Sequence, residues 1–430
     1  MEMARMSTLS NICGLSRMRT HPVPGAARLP RPEVALLLWC ARTDVEAERA
    51  ERISVLLQQH LDWPLLIQTA LQHGVMPLLY QHLRTIGPEA IPTAVLQQLR
   101  EHFHANTGHN LCLTGELLRV LQLLVTHGLP ALAYKGPVLA VSVYGNLALR
   151  QCSDVDLLVH QRDYRRVQQL LIAHGYQLTM DLDWESCLVH DTRRVAVDLH
   201  LGIVPHLFHV PLDFERVWTH RQPICLAGTI VSTLAPEDLL IVLCVQVAKD
   251  MWCDLNKQRK SRNSGLLKIC DIAELLRSSQ DMDWGRVLAD ARRLGVQRIL
   301  SFGLRVAREL LGASLPQALQ STMEAHPAIS GLVAHTRAQL LDEVDAGAPM
   351  SLTPARFHFA IRERWQDKVF PYVYAGALLI MPSDKDRMFL PLPSCLTFFY
   401  YLIRPFRAMR EYGWRLFVQQ LKRWLVWGSA

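Results

Sequence analysis

Two aspartates one residue apart stand at the start of an apolar stretch, where Asp154 and Asp156 flank Val155 and are followed by Leu157 and Val159. In a strand, side chains alternate between faces, so both carboxylates project one way while the apolar residues face a core. Paired carboxylates repel each other unless a cation lies between them. Mg²⁺ is the cation that such pairs typically bind, usually with substrate phosphates. The pair therefore predicts metal-dependent phosphate chemistry, with a solvated strand end as the simpler alternative. On the same reasoning, Asp156→Asn should keep or slightly raise the stability of the metal-free protein.

A glycine turn precedes the pair. An apolar strand runs to Lys135-Gly136-Pro137, and residues 138–145 then have the pattern of a short helix closed by Gly145. A strand, a glycine turn and a helix N-terminus together present free backbone N–H groups to an anion. We therefore expect this turn to lie close to a bound phosphate.

A second alternating strand follows at residues 194–200. Asp198 and His200 share one face, and Val195, Val197 and Leu199 share the other. A third carboxylate on a neighbouring strand would complete a two-metal site, in which the ions hold both the attacking and the leaving oxygen of a phosphoryl transfer. The two strands therefore predict an acidic triad of Asp154, Asp156 and Asp198.

This combination resembles the nucleotidyltransferase superfamily, the fold shared by DNA polymerase β and kanamycin nucleotidyltransferase. A closer resemblance is to the bacterial family of uncharacterised nucleotidyltransferases. Its lysine-glycine, tyrosine-glycine, arginine, aspartate-x-aspartate and aspartate-x-histidine motifs are matched by Lys135-Gly136, Tyr144-Gly145, Arg150, Asp154-Val155-Asp156 and Asp198-Leu199-His200. The resemblance implies a small nucleotidyltransferase core and transfer of a nucleoside monophosphate from an NTP.

The resemblance also implies a role for each site residue. Asp154 and Asp156 would hold two Mg²⁺ or Mn²⁺ ions, Asp198 would bind the catalytic ion, and His200 would orient a ligand rather than coordinate. The implied nucleotide-binding residues are Lys135, Gly136, Arg150, Ser153, Lys249, Lys268 and Asp271. Asp271 would orient either helical lysine, although Lys268 and Asp271 could also form an ordinary surface ion pair. Arg150 would meet a phosphate oxygen or neutralise the acidic pair.

Pro137 departs from the superfamily, which usually has serine or glycine there. Since proline removes one backbone donor, a fold-retaining protein without turnover stays an alternative.

Composition limits the class of protein. The 430 residues are 50% hydrophobic and 20% charged, as in globular proteins of two or three domains. Ten cysteines without a C-x-x-C motif fit a reducing cytoplasm. The net charge of +7 is compatible with a nucleic-acid partner but does not indicate one. We find neither a signal peptide nor an apolar segment long enough to cross a bilayer.

We predict an α+β protein with a small mixed-sheet nucleotidyltransferase core between largely helical domains. The predicted segments are a disordered basic tail (1–32), an N-terminal helical domain (33–128), the core (129–233), a second helical domain (234–346) and a helical, aromatic C-terminal segment (347–430). The expected partners are an NTP and an acceptor hydroxyl or phosphate. The alternatives are a nucleotide-binding protein without turnover, and a peripheral scaffold whose amphipathic stretch from Trp414 to Trp427 contacts a membrane.

Overall fold

The N-terminal part of the protein is helical, as predicted. In this computed structural model the described residues are 31–182, 184–205, 208, 210–257, 265–317, 319, 327–340, 353–380, 382, 389–391, 393–404 and 407. The first helices are α1 (Pro32–Cys40), α2 (Ala47–Leu57), α3 (Trp63–His73), α4 (Met76–Leu83) and α5 (Thr93–Thr126), with a 3₁₀ turn at Pro88–Ala90. An aspartate two residues before a proline, as Asp62 is before Pro64, marks a helix start in the sequence. Asp62 does cap α3, since it accepts a hydrogen bond from the Leu65 backbone N–H at 3.0 Å.

A mixed five-stranded sheet follows. Its elements are β1 (Ala131–Ala133), α6 (Gly136–Ser142), β2 (Val155–Val159), α7 (Tyr164–Ala173), β3 (Tyr176–Asp181), β4 (Glu185–His190) and β5 (Ala196–His200). The strand order is β1-β2-β5-β4-β3; β2 and β5 are parallel, and the other neighbours are antiparallel. Helix α8 (Phe214–His220) leads to a separate hairpin of β6 (Gln222–Leu226) and β7 (Thr229–Thr233). The predicted α+β class with a mixed sheet is confirmed.

The chain then returns to helices. They are α9 (Pro236–Lys257), α10 (Gly265–Ser278), α11 (Trp284–Leu294), α12 (Gln297–Leu311), α13 (Pro327–Leu340), α14 (Pro354–Ile361) and α15 (Trp365–Ile380), followed by a 3₁₀ helix at Ser394–Phe399. Within the described part of the chain, none of the helices is both long and apolar enough to span a membrane. The basic tail up to residue 30 and the stretch from Trp414 to Trp427 lie outside the described residues.

Two hydrophobic clusters hold these elements together. One contains buried residues from α1 to α4 and from α9 to α14, so the helices before and after the sheet share a core. The other covers one face of the sheet and includes Val155, Leu157 and Val159. Helix α5 connects the two clusters, since Leu99 belongs to the first and Leu117 to the second. As a result, α9 and α10 stand next to the end of the sheet that carries the acidic residues.

Candidate active site

The parallel pairing of β2 and β5 brings the acidic residues together. Asp156 and Asp198 are direct register partners across the two strands. The intervening Val155 and Val197 are buried in the sheet core, as the alternation predicts. Asp154 stands one residue before β2 and faces the same cleft. The three aspartates therefore meet at one place, although Asp198 is far from the other two in the sequence.

The glycine turn supports this arrangement from behind. Gly136 has a φ of +56°, and a Cβ atom placed on it would lie 2.8 Å from the backbone oxygen of Asp154. A side chain would therefore clash with the segment that carries Asp154, besides straining the left-handed backbone. Pro137 lies in the first turn of α6, which begins at Gly136 and ends at Ser142, earlier at both ends than the predicted helix at residues 138–145. Gly136 does not line the cleft, so its contribution in the structure is a close backbone approach.

A cleft of about 280 Å³ lies between the sheet and helices α9 and α10. Apart from Gly136, it is lined by every residue that the sequence marks as a site candidate: Lys135, Arg150, Ser153, Asp154, Asp156, Asp198, His200, Lys249, Lys268 and Asp271. Asp154, Asp156 and Asp198 lie on the sheet side together with Lys135, whereas Lys249, Lys268 and Asp271 lie on the helical side. The arrangement can hold a molecule that has both metal-binding and anionic groups.

Asp156 already has two partners in the cleft. Its Oδ1 atom lies 2.7 Å from Lys135 Nζ and 2.9 Å from His200 Nε2. Burial by itself would raise the pKa of Asp156, but Lys135 and His200 hold that pKa well below its usual range. Conversely, burial disfavours the Lys135 ammonium, yet Asp156 keeps the pKa of Lys135 above its usual value. Asp156 is therefore a stable, oriented anion, with His200 in the orienting position.

Asp154 and Asp198 are in the opposite situation. Burial, together with the charges of Asp156 and Asp198, raises the pKa of Asp154 to about 6, against the opposing charge of Lys135 and a hydrogen bond from Ser153. Burial also raises the pKa of Asp198, and the neighbouring Asp156 adds to this effect. The Asp198 Oδ1 atom is buried and has no hydrogen-bond partner among the described residues. Both carboxylates therefore lack part of the positive charge that their ionised forms require.

Carboxylates of this kind fit a hard divalent cation. Mg²⁺ and Mn²⁺ prefer carboxylate oxygens, and an unpartnered buried oxygen such as Asp198 Oδ1 is a free ligand atom. Among the described residues, no group of three or more His, Cys, Asp or Glu side chains is arranged so that it could hold a metal ion by itself. The donor chemistry therefore fits Mg²⁺, with ligands expected from substrate and solvent as well as from the protein.

The two lysines share one carboxylate, and it is not the predicted one. Lys249 Nζ lies 3.2 Å from Asp250 Oδ1, and Lys268 Nζ donates to Asp250 Oδ2. Burial opposes ionisation of Asp250, but the two ammonium groups lower its pKa. The prediction that Asp271 orients these lysines is wrong, because Asp271 faces another partner across the cleft.

That partner is Arg150. Arg150 Nε and one terminal nitrogen each lie 2.8 Å from an oxygen of Asp271, and the Tyr144 hydroxyl donates to Asp271 at 2.7 Å. Arg150 therefore does not neutralise the Asp154 and Asp156 pair, which was one of its two predicted roles. It pairs with the helical layer instead, because α10 packs directly over the segment that precedes β2.

Other cleft residues were not found from the sequence. Glu185 lies on β4 opposite His200, with its Oε2 atom 3.7 Å from His200 Nδ1, and burial raises the pKa of Glu185. Trp184 precedes it and has Lys249 Nζ 5.6 Å from its ring centroid. Asp250, which binds both lysines but does not itself line the cleft, was not found from the sequence either. Each is a single residue without a motif, and only the pairing of β4 with β5 and the packing of α9 place them at or beside the cleft.

Comparison with known proteins agrees with the motifs. The uncharacterised nucleotidyltransferase family matches residues 59–312, which is more than half of the 430-residue chain. Among solved structures, an antigenic nucleotidyltransferase-like protein from Paracoccidioides brasiliensis is similar at 16% sequence identity, covering 48% of this chain and 95% of that chain with a TM-score of 0.27. Such a score carries no structural conclusion, and a comparison with curated proteins yields no match. On the family match, the chain belongs to the uncharacterised nucleotidyltransferases.

Proposed function

We propose that the protein is a metal-dependent nucleotidyltransferase that moves a nucleoside monophosphate from an NTP to an acceptor hydroxyl or phosphate and releases pyrophosphate. One observation carries the proposal. Asp154, Asp156 and Asp198 face one cleft, and two of them have pKa values raised partly by their neighbours. Such a cluster reduces the stability of the folded protein at neutral pH, and a bound cation is the usual compensation.

The carboxylates would hold two Mg²⁺ or Mn²⁺ ions, with Asp154 and Asp156 shared between them and Asp198 at the catalytic ion. Bound ions of this kind neutralise phosphate charge and help to ionise the acceptor oxygen. The contacts of Lys135 and His200 with Asp156 keep that carboxylate ionised and oriented before any ligand arrives. This supports preorganisation, the main source of catalysis when little covalent chemistry is left to the protein.

The helical side of the cleft would bind the phosphates. Lys249 and Lys268 both approach Asp250, so two ammonium groups are already held close together at the cleft wall. A triphosphate oxygen offers the same kind of acceptor as the Asp250 carboxylate and carries more charge. Phosphate would therefore replace Asp250 as the partner of one or both lysines, on the opposite side of the cleft from the metal-holding carboxylates.

The test is nucleotide consumption by the purified protein. Each of the four NTPs is supplied with Mg²⁺ and cell extract as the source of acceptor, and pyrophosphate release is measured together with the mass of any species that gains a nucleotide. Asp198→Asn is the matched variant, since it keeps the shape of the side chain and removes a metal-holding charge. Pyrophosphate release should depend on Mg²⁺ and be lost in the variant. Equal release by wild type and Asp198→Asn would refute the proposal.

A nucleotide-binding protein without turnover is the second candidate. Two observations favour it: Lys135 already supplies a positive charge to Asp156, and Pro137 reduces the backbone donors of the turn. On this alternative, Mg²⁺ with NTP raises the melting temperature of the protein, but no pyrophosphate appears with any extract. Calorimetric titration with an NTP beside the pyrophosphate assay distinguishes the two candidates directly.

A further inference from the structure

The ion pair of Arg150 with Asp271 is a buried contact with several hydrogen bonds at the cleft wall. The two side chains are 8% and 1% exposed. The guanidinium forms a two-pronged contact with both carboxylate oxygens, and the Tyr144 hydroxyl adds a third hydrogen bond. Planar, bidentate contacts of this kind fix orientation as well as distance.

The pair connects the two sides of the cleft. Arg150 lies four residues before Asp154, and its carbonyl oxygen accepts a hydrogen bond from Asn110 Nδ2 at 2.7 Å. Asp271 lies on α10, three residues after Lys268. Residues three apart on a helix point to the same side. The contact therefore ties the segment that carries Asp154 to the helix turn that carries Lys268.

Arg150 directs its described hydrogen bonds to the protein itself. Besides Asp271, they reach the Gln151 carbonyl oxygen at 3.4 Å and Cys152 Sγ at 3.6 Å. The N–H donors on the edge of the guanidinium that faces Asp271 are therefore already hydrogen-bonded to protein acceptors. The contacts of Arg150 favour a structural connection between the two layers over direct contact with phosphate.

We propose that Arg150, Asp271 and Tyr144 form a latch that sets the position of the metal-holding carboxylates relative to Lys268. This inference rests on the proposed function, in which those groups bind opposite ends of one metal–nucleotide. The latch residues are positioning residues, since they act through Asp154 and Lys268. Loss of the latch removes none of the ligand-binding groups, but it changes the distance between the metal-holding carboxylates and Lys268. A ligand that contacts both sides of the cleft therefore binds more weakly.

Replacing both members of the pair by apolar residues tests the positioning role apart from effects on net charge and on stability. Arg150→Met with Asp271→Leu removes one positive and one negative charge, so the net charge near the metal site does not change. Replacing both members of a buried ion pair by apolar residues is often neutral for stability, whereas removing one member is not. The control is Arg42→Met with Glu274→Gln, which removes another buried ion pair, one that joins α10 to the segment after α1, with 2.7 Å between Arg42 Nε and Glu274 Oε1, away from the cleft lining.

Three measurements are made on the full chain: Mn²⁺ affinity by electron paramagnetic resonance, Mg²⁺–ATP affinity by calorimetry, and amide hydrogen exchange of residues 151–157. In Arg150→Met/Asp271→Leu we expect both affinities to fall roughly tenfold or more, the scale of small misplacements in preorganised sites, and exchange in this segment to become faster. The control variant should bind as wild type does. Arg150→Lys keeps the charge without the planar fork, so it should lose affinity as well.

The latch proposal would be overturned if the double variant showed wild-type affinities and unchanged hydrogen exchange. It would also be overturned if Arg150→Lys bound both ligands with wild-type affinity. If the double variant does not fold, Arg150→Lys and Tyr144→Phe decide the question by the same measurements. If wild type binds neither Mn²⁺ nor Mg²⁺–ATP, the proposed function is wrong and the inference falls as a statement about ligand binding. The exchange comparison is independent of ligand, so it separates failure of the latch from failure of the function.

Discussion

Two isosteric substitutions in the acidic triad should change stability in opposite directions. The pKa of Asp154 is raised from 3.8 to about 6 by burial and by its neighbouring carboxylates. The folded state therefore binds this proton more tightly than the unfolded state does. The resulting destabilisation is absent below the unfolded pKa, grows as the pH rises between the two values, and is complete above the folded pKa.

The size of the effect follows from that shift. One pKa unit corresponds to ~1.4 kcal/mol, so the shift of Asp154 sets an upper limit of ~3 kcal/mol on its destabilisation at neutral pH. Asp154→Asn removes the charge and keeps the shape. We expect it to raise the free energy of unfolding of the metal-free protein by about 1–3 kcal/mol near neutral pH and by little near pH ~4. In melting temperature this is roughly 2 °C for each kcal/mol in a large domain.

Asp156→Asn should have the opposite sign. Asp156 is buried and holds Lys135 Nζ at 2.7 Å and His200 Nε2 at 2.9 Å, so its charge stabilises the fold. Removing one partner of a buried ion pair costs about 3–5 kcal/mol. For Asp156→Asn we expect about half of that cost, because the Lys135 side chain that loses its partner is 16% exposed and can be partly hydrated. The structure thus reverses the sequence-based expectation that Asp156→Asn keeps or raises stability, because repulsion falls mainly on Asp154 and Asp198.

The assay is urea or thermal unfolding in EDTA at two pH values, repeated with Mg²⁺ and ATP. Wild type should gain stability from the ligand, because binding to the folded state alone shifts the equilibrium. Both variants should lose that gain. The reasoning is refuted if the two variants shift in the same direction without metal, or if the gain of Asp154→Asn is equal at both pH values.

Further predictions concern the turn and the helical side. Gly136→Ala places a methyl group 2.8 Å from the Asp154 backbone oxygen at a φ of +56°. We therefore expect a lower melting temperature in thermal unfolding and weaker Mn²⁺ binding in electron paramagnetic resonance. Wild-type values in both measurements would contradict the close approach. Lys249→Met and Lys268→Met keep the aliphatic stem and delete a phosphate donor, so each should lower Mg²⁺–ATP affinity about tenfold while changing the melting temperature little, since loss of a charged hydrogen bond is ~1.5–3 kcal/mol. We expect the larger loss for Lys249, and calorimetry showing wild-type affinity in both variants would exclude the helical side as the phosphate site.

The sequence by itself determined the elements that carry the site. Side-chain alternation placed Val155 and Val197 in the sheet core, and therefore placed Asp156 and Asp198 on the other face, since the period of a strand is set by backbone geometry alone. The capping position of Asp62 marked the start of α3 for a similar local reason. The motif spacing also indicated the family, because Lys135-Gly136 and the acidic strands occur in the same order along the chain.

Only the tertiary structure decided which charged side chains form ion pairs with each other. Asp271 is bonded to Arg150, 121 residues away in the chain, instead of to a lysine on its own helix face. The lysines share Asp250, and Lys135 holds Asp156 rather than standing free for phosphate. Charged side chains bind the nearest buried partner of opposite sign, and how near that partner is depends on how α9 and α10 pack over the strand ends. Sequence spacing contains no information on that packing, so it indicated the members of the site but not their pairs.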